Sequence, residues 1–396
     1  MERFVPAPFA YVLLYVTLYG AFGVASPYWP KLFESKGLTP QQIGLILAAA
    51  LVMRLAAGPV LGRLADLLGS LRLVLASCIV AAAAAAAAYT WADTFWLVLL
   101  IALAQAAALA PTTSLADALT VNAARPRIAY GRIRGAASAA FLVGTLIIGQ
   151  LIVPADLSPI IWLNAALLIV AAVATALLPR TAPQPERHDL AAAEVRGLLK
   201  LSPFRIVITV SALVYGSHAL YDAFAVIRWS AAGLPASVIS VLWAEAVAAE
   251  VLVFFLVGPW LLDRLGVRAA AVLAAAAGIV RWSAMGFTNS ILVLAILQPL
   301  HGLTFALLHL ACMRVIGNVV PPGVAATAQA LYAFGAGLVT AALTSFSGTL
   351  YATYGGQAFL SMAALCVIAL PFAWWGLADS TPFVSSPRLS ARALRE

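Results

Sequence analysis

The chain has 396 residues, of which 64 % are hydrophobic and only 10 % are charged, and its mean hydropathy is +1.00. Soluble domains carry about 25 % charged residues, so this composition excludes a water-soluble protein. The formal net charge of +8 raises the question of a nucleic-acid partner, but the basic residues are grouped in loops between apolar segments. We therefore expect a lipid bilayer around the protein and no nucleic acid.

Apolar segments of about 20 residues, the length that crosses a hydrocarbon core, recur along the chain. The first begins near Phe9 and has no convincing cleavage site, so we expect a retained span rather than a signal peptide. Cys78, Cys312 and Cys366 each lie in an apolar segment and are expected to be core residues without a disulfide framework. The predicted spans are 9–30, 41–61, 72–91, 95–120, 132–153, 157–178, 204–227, 236–258, 269–287, 290–315, 325–350 and 357–377.

The basic residues outside these spans are distributed unequally between the two sides. Eighteen of the 23 lysines and arginines fall on the side that holds both termini, whereas Lys31, Lys36 and Arg228 fall on the other. Arg54 and Arg281 lie within spans. Because short cytoplasmic loops carry the excess of Lys and Arg, we expect a multi-pass protein of the cytoplasmic (inner) membrane with both termini cytoplasmic.

One long polar stretch divides the spans into two sets of six. It begins with proline-rich sequence near residue 180, which is typical of a linker, and Asp189 to Leu201 is compatible with a short surface helix. The sequence predicts an N-terminal six-helix bundle (1–178), a cytoplasmic linker (179–203) and a C-terminal six-helix bundle with a short tail (204–396).

The two halves repeat each other. "YG" at 19–20 recurs at 215–216, and "GLTPQQIG" at 37–44 recurs as "GLPASVIS" at 233–240, both at an offset of 196 residues. Parallel repeats of this kind are found in transporters that alternate access to a site between the halves near mid-membrane. The fold class predicted is an all-α membrane protein of twelve helices in two pseudo-symmetric bundles.

The loop after the second span carries a recognisable motif. "GRLADLLGSLR" (62–72) resembles the signature between the second and third helices of the major facilitator superfamily, although Leu67 and Ser70 replace the usual basic residues. A second copy, "GPWLLDRLGVR", occupies 258–268. The resemblance implies that these segments bias the inward- or outward-open state, and the predicted gating residues are Asp66, Arg72, Asp263, Arg264 and Arg268.

Ionisable residues inside the predicted spans are few. A charge at mid-bilayer costs about 2.5–3.5 kcal/mol on insertion scales, so each is a candidate for function and for pairing. Carboxylates near imidazole or guanidinium groups change their proton affinity with their surroundings, which suits a proton-coupled carrier. The candidates are Arg54, Asp117, His218, Asp222, Glu245, Glu250, Arg281, His301 and His309.

The C-terminal half carries a more specific resemblance. "YGSHALYDAFAVIRWSAAGLPASVISVLWAEAVAAEVL", "GIVRWSAMGF" and "QPLHGLTFALLHLACM" are similar to the phenylpropionate permease group. That group is a branch of the major facilitator superfamily related to nucleoside:proton symporters and to lactose permease. The resemblance covers nearly the whole chain and implies secondary active transport, with the proton as coupling ion and no cofactor.

The resemblance also implies a proton-coupling set. Arg281 and His301 match the Arg and His of the coupling cluster in lactose permease, but Thr304 occupies the position of its carboxylate and Gln298 that of a lysine. Glu250 fits the "AEV" pattern of the phenylpropionate permeases. The predicted proton-coupling residues are therefore Glu250 first, then His301 with Arg281.

Two further pairs follow from resemblance and spacing. "YGRIRG" resembles the lactose permease stretch whose second Arg joins an acid to bind sugar, which makes Arg134 and Asp117 a candidate pair. His218 and Asp222 are four residues apart and share a helical face, although Asp222 stands where the group more often has an aromatic residue. His309 is interpreted as a packing residue or an inner gate.

The substrate is predicted only by class. Arg54 either binds a substrate carboxylate, since charge-assisted Arg–carboxylate bonds are strong, or pairs with Glu250, its counterpart at the repeat offset. Aromatic side chains at similar depths are able to stack on a ring. The predicted substrate-binding residues are Arg54, Tyr19, Asp117, Arg134, His218, Asp222, Trp243 and Tyr332.

Other functions stay open at this point. They are symport of a nucleoside or sugar, proton/solute efflux by antiport, and a membrane sensor without transport. The sequence has no phosphate-binding G-x-x-x-x-G-K-[ST] loop and no H-E-x-x-H motif, so we expect neither an ATP-driven pump, nor an enzyme, nor a metal site. A monomer suffices for this architecture, with a small-molecule substrate as partner.

Overall fold

The computed structural model describes residues 7–123, 130–179 and 192–377. This part of the chain is helical, with one isolated β-bridge between Val153 and Asp156. Three short 3₁₀ turns and two π-helical turns interrupt the α-helices. The α-helices are α1 (Ala7–Ala25), α2 (Trp29–Ser35), α3 (Pro40–Leu67), α4 (Leu71–Ala88), α5 (Phe95–Leu109), α6 (Thr112–Ala123), α7 (Tyr130–Leu151), α8 (Ser158–Leu177), α9 (Ala192–Lys200), α10 (Ser202–Gly216), α11 (Ala219–Ala231), α12 (Ala236–Leu252), α13 (Gly258–Phe287), α14 (Ile291–Leu297), α15 (Leu300–Gly302), α16 (Leu308–Val319), α17 (Ala325–Tyr354) and α18 (Phe359–Gly376).

The described residues contain nine helical stretches long and apolar enough to cross a membrane, or ten if the bent pair Phe9–Ala25 and Trp29–Ser35 is one span. Two of the nine, Ala236–Phe287 and Ala325–Gly376, are 52 residues long. At 1.5 Å per residue such a stretch is far longer than a hydrocarbon core of about 30 Å. Division of both stretches gives eleven spans, or the predicted twelve if the bent pair is also counted as one.

Each 52-residue stretch is broken by a glycine in a left-handed conformation. Gly266 has φ 75° and Gly355 has φ 54°, a region that glycine adopts without the steric penalty of a side chain. Gly266 separates the predicted eighth and ninth spans. Gly355 begins the 3₁₀ turn Gly355–Ala358 between the predicted eleventh and twelfth.

Polar side chains mark where several helices begin. Thr39 caps α3, accepting a hydrogen bond from the Gln42 backbone N–H while the Gln42 side chain accepts from the Thr39 N–H. Ser70 and Thr94 cap α4 and α5 by accepting from the backbone N–H of Leu73 and of Leu97, respectively. These caps satisfy backbone donors at points where the chain re-enters an apolar environment.

The predicted seventh span is not one continuous helix. It divides into α10 and α11, and Ser217 and His218 lie at the break. Hydropathy does not detect this, because both parts are apolar and together form one membrane-length stretch of 30 residues. The imidazole of His218 thus lies at the junction of the two helices rather than within a continuous helix.

Buried apolar side chains form separate cores in the two halves. One cluster contains residues between Ala10 and Leu178 only, and another residues between Leu198 and Leu377 only. A larger cluster contains residues from both halves. The predicted bundle boundaries are compatible with this division and stay predictions. Most of the predicted linker, 180–191, lies outside the described residues, whereas α9 occupies most of the predicted surface helix.

The halves approach most closely at the end that the sequence predicts to be external, here called the outer end. A Cβ on Gly44 would lie 2.9 Å from the Thr344 carbonyl oxygen, and one on Gly348 would lie 2.9 Å from the Gln41 Cα. The Tyr28 hydroxyl lies 2.6 Å from the Ser240 Oγ. Backbone contact of this kind closes the outer end of the space between the halves.

Candidate functional site

Arg281 lies at the centre of a polar network in the second half. Its side chain is fully buried in α13, and its guanidinium donates to Nδ1 of His301 and to Oε1 of Gln298, both at 3.0 Å. The same group lies over the rings of Tyr221 and Trp282, with centroid distances of 4.4 and 4.5 Å. Cation–π contacts and two hydrogen bonds thus hold this charge inside the protein.

The neighbours of His301 determine which of its nitrogens carries the proton. A guanidinium only donates, so Nδ1, which faces Arg281, acts as an acceptor. The proton of the neutral ring is then on Nε2, which lies 3.3 Å from a carboxylate oxygen of Glu250. A second proton on His301 would place an N–H against a guanidinium N–H. Glu250 is therefore the group of this trio that is free to accept a proton.

Glu250 and His301 differ in their access to solvent. The Glu250 side chain is 32 % exposed, whereas that of His301 is 12 % exposed and Arg281 is covered. Protons can thus reach the carboxylate more readily than the ring. The predicted trio of Glu250, His301 and Arg281 is brought together, and its role in coupling stays a prediction.

His218 forms a second imidazole site next to the first. Its Nδ1 donates to the Val214 carbonyl oxygen at 3.0 Å, and its Nε2 lies 3.0 Å from the Thr304 hydroxyl. The His218 and His301 rings are 5.2 Å apart between centroids. Thr304 also lies 3.1 Å from the His301 carbonyl oxygen, so its one hydroxyl proton is donated either to that oxygen or to His218 Nε2.

Two π-helical turns accompany these residues. Val253–Val257 begins three residues after Glu250, and Leu303–Leu307 begins two residues after His301 and contains Thr304. π-turns are rare and occur frequently at functional sites. A Cβ on Gly302 would lie 2.6 Å from the Ala249 carbonyl oxygen, so glycine allows the close approach that brings Glu250 to His301.

Sequence reasoning missed the contributions of three polar residues. Gln298, noted only as a replacement of lysine, accepts from Arg281 and, at 3.1 Å, from the Tyr221 hydroxyl. Thr304, noted only as a missing carboxylate, binds His218. Ser217 accepts from the Trp282 indole N–H at 2.8 Å. The signal was available, since all three are polar residues within otherwise apolar segments.

Two cavities lie between the two halves, and a third is lined by residues of the first half alone. One of about 410 Å³ is lined by His218, Asp222, His301 and Tyr332. A second, of about 300 Å³, shares Asp222 with the first and is also lined by Arg54 and Trp243. These shared residues make the first two cavities neighbours near the histidines.

The third cavity, of about 320 Å³, lies in the first half, where Gln105 and Asn164 line it with Arg54. Arg54 therefore faces two of the cavities. Among the described residues, no side chain forms an ion pair with it, and Glu250 binds His301 instead. The predicted alternative of an Arg54–Glu250 pair is absent from this conformation.

The aromatic candidates of the second half have partners of their own. Trp243 stacks on Tyr221 with centroids 4.9 Å apart and planes 12° apart. The Tyr332 hydroxyl donates to that of Tyr215 at 3.2 Å. His309 is half-buried, with its ring 6.1 Å from that of Phe254, and it interacts electrostatically with Glu250. Both predicted roles of His309, packing residue and inner gate, stay predictions.

The first half holds a separate polar cluster. Asp117 accepts from the Tyr15 hydroxyl at 2.5 Å and forms an ion pair with Arg134 at 3.7 Å. Arg134 also donates to the Tyr19 hydroxyl, and its guanidinium lies 5.1 Å from the Tyr19 ring centroid. The predicted Asp117–Arg134 pair is thus present. Its side chains do not line the three cavities described above.

The predicted gating residues make contacts within their own halves. Arg72 donates to the Leu178 carbonyl oxygen at 2.7 Å, and Asp263 pairs with Arg314 at 2.7 Å. Arg264 and Arg268 lie over the rings of Trp260 and Trp374.

Asp66 differs from what we expected of the motif. Its side chain is exposed, and within the described ranges this side chain makes no hydrogen bond or ion pair. The motif is therefore not engaged as a contact between the halves in this conformation, and its gating role stays a prediction.

In the described residues, a helical membrane fold of two halves has cavities between the halves and a polar network in the second half, an arrangement typical of multi-pass membrane transporters. The sequence profile of the MFS_1 like family matches residues 9–363, and the chain belongs to this family. Its family and relatives are transporters rather than enzymes.

Individual relatives agree with this assignment. The chain is 32 % identical to a "Probable 3-phenylpropionic acid transporter" of Escherichia coli over 90 % of its own length and 94 % of the relative. It is 25 % identical to a maltose permease of Geobacillus stearothermophilus, over 90 % and 91 %. The crystal structure of the nucleoside transporter NupG superposes with a TM-score of 0.82 at 17 % identity, covering 95 % of this chain and 100 % of that one. That likeness concerns the fold.

Proposed function

We propose that this protein is a proton-coupled symporter for a small organic acid, with an aromatic carboxylate as the favoured substrate. It works by alternating access in the cytoplasmic membrane, as a monomer with both termini inside and without a cofactor. The observation that carries the proposal is the position of Glu250, a partly exposed carboxylate held by His301 beside a cavity between the halves.

Protonation of Glu250 changes the charge of the network. The ionised carboxylate accepts from His301 Nε2, whose ring is oriented by Arg281. A proton on Glu250 removes the negative charge and weakens this bond, because hydrogen bonds to ionised groups are the stronger ones. The network therefore has two states of different charge, as a coupled carrier requires.

The substrate side rests on Arg54. Its side chain lines two cavities and has no acidic partner in the residues that the structure describes. An unpaired guanidinium at mid-membrane is costly, and a substrate carboxylate would relieve that cost. The identity of 32 % to a probable 3-phenylpropionic acid transporter supports an aromatic acid.

Transport in liposomes tests the proposal. Purified protein is reconstituted with an internal pH dye, and aromatic carboxylates, nucleosides and sugars are added outside. We expect acidification of the interior with aromatic carboxylates. Glu250→Gln is expected to abolish this acidification while exchange of labelled substrate continues.

Glu245→Gln is the matched control, because Glu245 is a second half-buried carboxylate of α12 and lies outside the trio. Acidification that persists in Glu250→Gln would refute the role of Glu250. Substrate exchange without proton movement in the unmodified protein would show a uniporter or another coupling ion.

A further inference from the structure

The cavity of about 300 Å³ is lined by two opposite charges from opposite halves of the protein. Arg54 comes from α3 and Asp222 from α11. Both side chains are exposed on a surface that this cavity provides. The space between the halves is therefore bipolar, with a cation on one wall and an anion on the other.

Neither side chain has an ion-pair or hydrogen-bond partner in the described part of the protein, although the nearby Arg281 attracts Asp222 electrostatically. In the ranges 7–123, 130–179 and 192–377, no ion pair and no side-chain hydrogen bond involves Arg54 or Asp222. The other charged groups near the cavity are occupied, since Glu250 binds His301 and Arg281 binds His301 and Gln298. Asp222 thus offers carboxylate oxygens to whatever enters.

A solute whose only polar group is a carboxylate would bind Arg54 but offer nothing to Asp222. Its negative charge would pair with Arg54 but would leave Asp222 without a donor and add a second anion to the cavity. A solute that fills the cavity would cover Asp222, and an acceptor that is left unsatisfied once it is covered costs about 1–3 kcal/mol, and more when it is charged. Specificity follows from such penalties, because a site with a buried polar group rejects analogues that lack its partner.

We propose that the transported acid also carries a hydrogen-bond donor, an ammonium or hydroxyl group, and that Asp222 accepts from this donor while Arg54 binds the carboxylate. This inference rests on the proposed function and specifies the substrate class of the same site. It also gives a reason for the acid at position 222.

The remaining walls suit a single aromatic ring. Trp29 and Trp243 line the cavity together with Leu47 and Leu51. One face of Trp243 is covered by Tyr221. A volume of about 300 Å³ is at the small end of the range for ligand pockets, so the cavity fits a one-ring solute with short polar ends.

Binding to the purified protein tests this independently of proton coupling. Calorimetry with four probes measures the dissociation constants: 3-phenylpropionate, 3-(4-hydroxyphenyl)propionate, 3-(4-aminomethylphenyl)propionate and tyramine. We expect at least one donor-bearing acid to bind about five-fold or more tightly than 3-phenylpropionate, since a site that hydrogen-bonds a polar group rejects analogues without it. Tyramine, which has no carboxylate, is expected to bind most weakly. The preferred probe identifies the donor as hydroxyl or ammonium.

Variants assign the two walls. Asp222→Asn keeps the side-chain volume and is expected to reduce the preference for donor-bearing acids to less than about two-fold, because the charged acceptor is gone. Asp222→Ser serves as a second variant if the first is unstable. Arg54→Gln is expected to bind none of the acids. Glu245→Gln is expected to bind all probes as tightly as the unmodified protein does.

Two results would overturn this inference without affecting the proposed function. In one, 3-phenylpropionate binds as tightly as the donor-bearing acids. In the other, Asp222→Asn strengthens binding of every acid equally, which would mean that Asp222 merely competes for Arg54. If no carboxylate binds the unmodified protein, both the inference and the proposed function fail. This outcome differs from the two above, in which acids do bind.

Discussion

His301 accepts a hydrogen bond from Arg281 at Nδ1, with 3.0 Å between the nitrogens. This contact fixes the imidazole as the Nε2–H tautomer and directs its proton towards Glu250. His301 is then a neutral connector between a buried cation and a partly exposed carboxylate. A buried histidine in a membrane span is often interpreted as the proton carrier, but this geometry supports the proposal that Glu250 carries the proton.

The first prediction separates a connector from a carrier. Glutamine at position 301 can accept from Arg281 and donate to Glu250, whereas leucine can do neither. We expect His301→Gln to keep proton-coupled transport within about ten-fold, a loss of about 1.4 kcal/mol. His301→Leu is expected to lose far more, because breaking a buried charged network costs about 3–5 kcal/mol.

Substrate-driven acidification in liposomes, recorded across pH, measures both variants. The half-maximal pH of His301→Leu should rise, since loss of a donor to the ionised carboxylate makes protonation easier. If His301→Gln folds and binds substrate but is as inactive in proton-coupled transport as His301→Leu, then His301 itself must carry the proton.

A second prediction concerns the close approach of α12 and α15. A Cβ on Gly302 would lie 2.6 Å from the Ala249 carbonyl oxygen and 2.7 Å from the Val253 Cγ2, so Gly302→Ala must separate the helices. Overpacking costs about 1–3 kcal/mol, and the separation also lengthens the Glu250–His301 contact. We expect a lower melting temperature together with weaker proton coupling.

Gly317→Ala is the matched control, because a Cβ there meets nothing within 4 Å and alanine favours a helix. It should melt at the same temperature as the unmodified protein or higher. Equal effects of the two substitutions would contradict the packing explanation.

The sequence predicts which charged residues are partners, but it does not predict the breaks and π-turns of the backbone around them. The rarity of charges in apolar spans identifies Arg281, His301 and Asp117 as candidates, and the resemblance to lactose permease implies the pairs of Arg281 with His301 and of Asp117 with Arg134. The break at Ser217 and the π-turns are not identifiable in this way. Hydropathy depends on side-chain transfer energies, whereas these features depend on which carbonyl each backbone N–H finds.

The neutral residues of the network illustrate a second limit. Gln298 and Thr304 stand where the resemblance to lactose permease implies ionisable residues, so comparison by charge counts them as losses. In the structure they are the hydrogen-bond partners of Arg281 and His218. A missing charge can therefore be compensated by a neutral acceptor, and only the three-dimensional arrangement reveals it.

A third prediction concerns the pair of Asp263 and Arg314. Their side chains are 67 % and 41 % exposed, and exposed ion pairs contribute about 0–1 kcal/mol to stability. We expect Asp263→Asn to leave the melting temperature nearly unchanged but to slow transport several-fold, as a gating residue would. Arg314→Gln removes the same pair and is expected to transport faster than Asp263→Asn. Equal transport rates in the two variants would mean that Asp263 acts only as the ion-pair partner of Arg314 and has no gating role of its own.

The last prediction tests whether close backbone contact at the outer end holds the halves together. A Cβ on Gly348 would overlap the Pro40 carbonyl oxygen and lie 2.9 Å from the Gln41 Cα, so Gly348→Ala must move α17 away from α3. At a cost of about 1–3 kcal/mol for overpacking, the equilibrium should shift by about 5- to 150-fold towards a state whose outer end is open.

Spin labels on cysteines at Ser35 and Ser290, exposed outer-end positions in opposite halves, report this opening as a longer distance by pulsed electron resonance. Gly286→Ala is the control, because its Cβ would make only ordinary contacts at 3.7 Å. It should leave the label distance unchanged. A distance that stays the same in Gly348→Ala as well, in a protein that still binds substrate, would mean that the outer end is held by other contacts. Tyr28→Phe, which removes the hydroxyl bonded to Ser240, would then be expected to lengthen it.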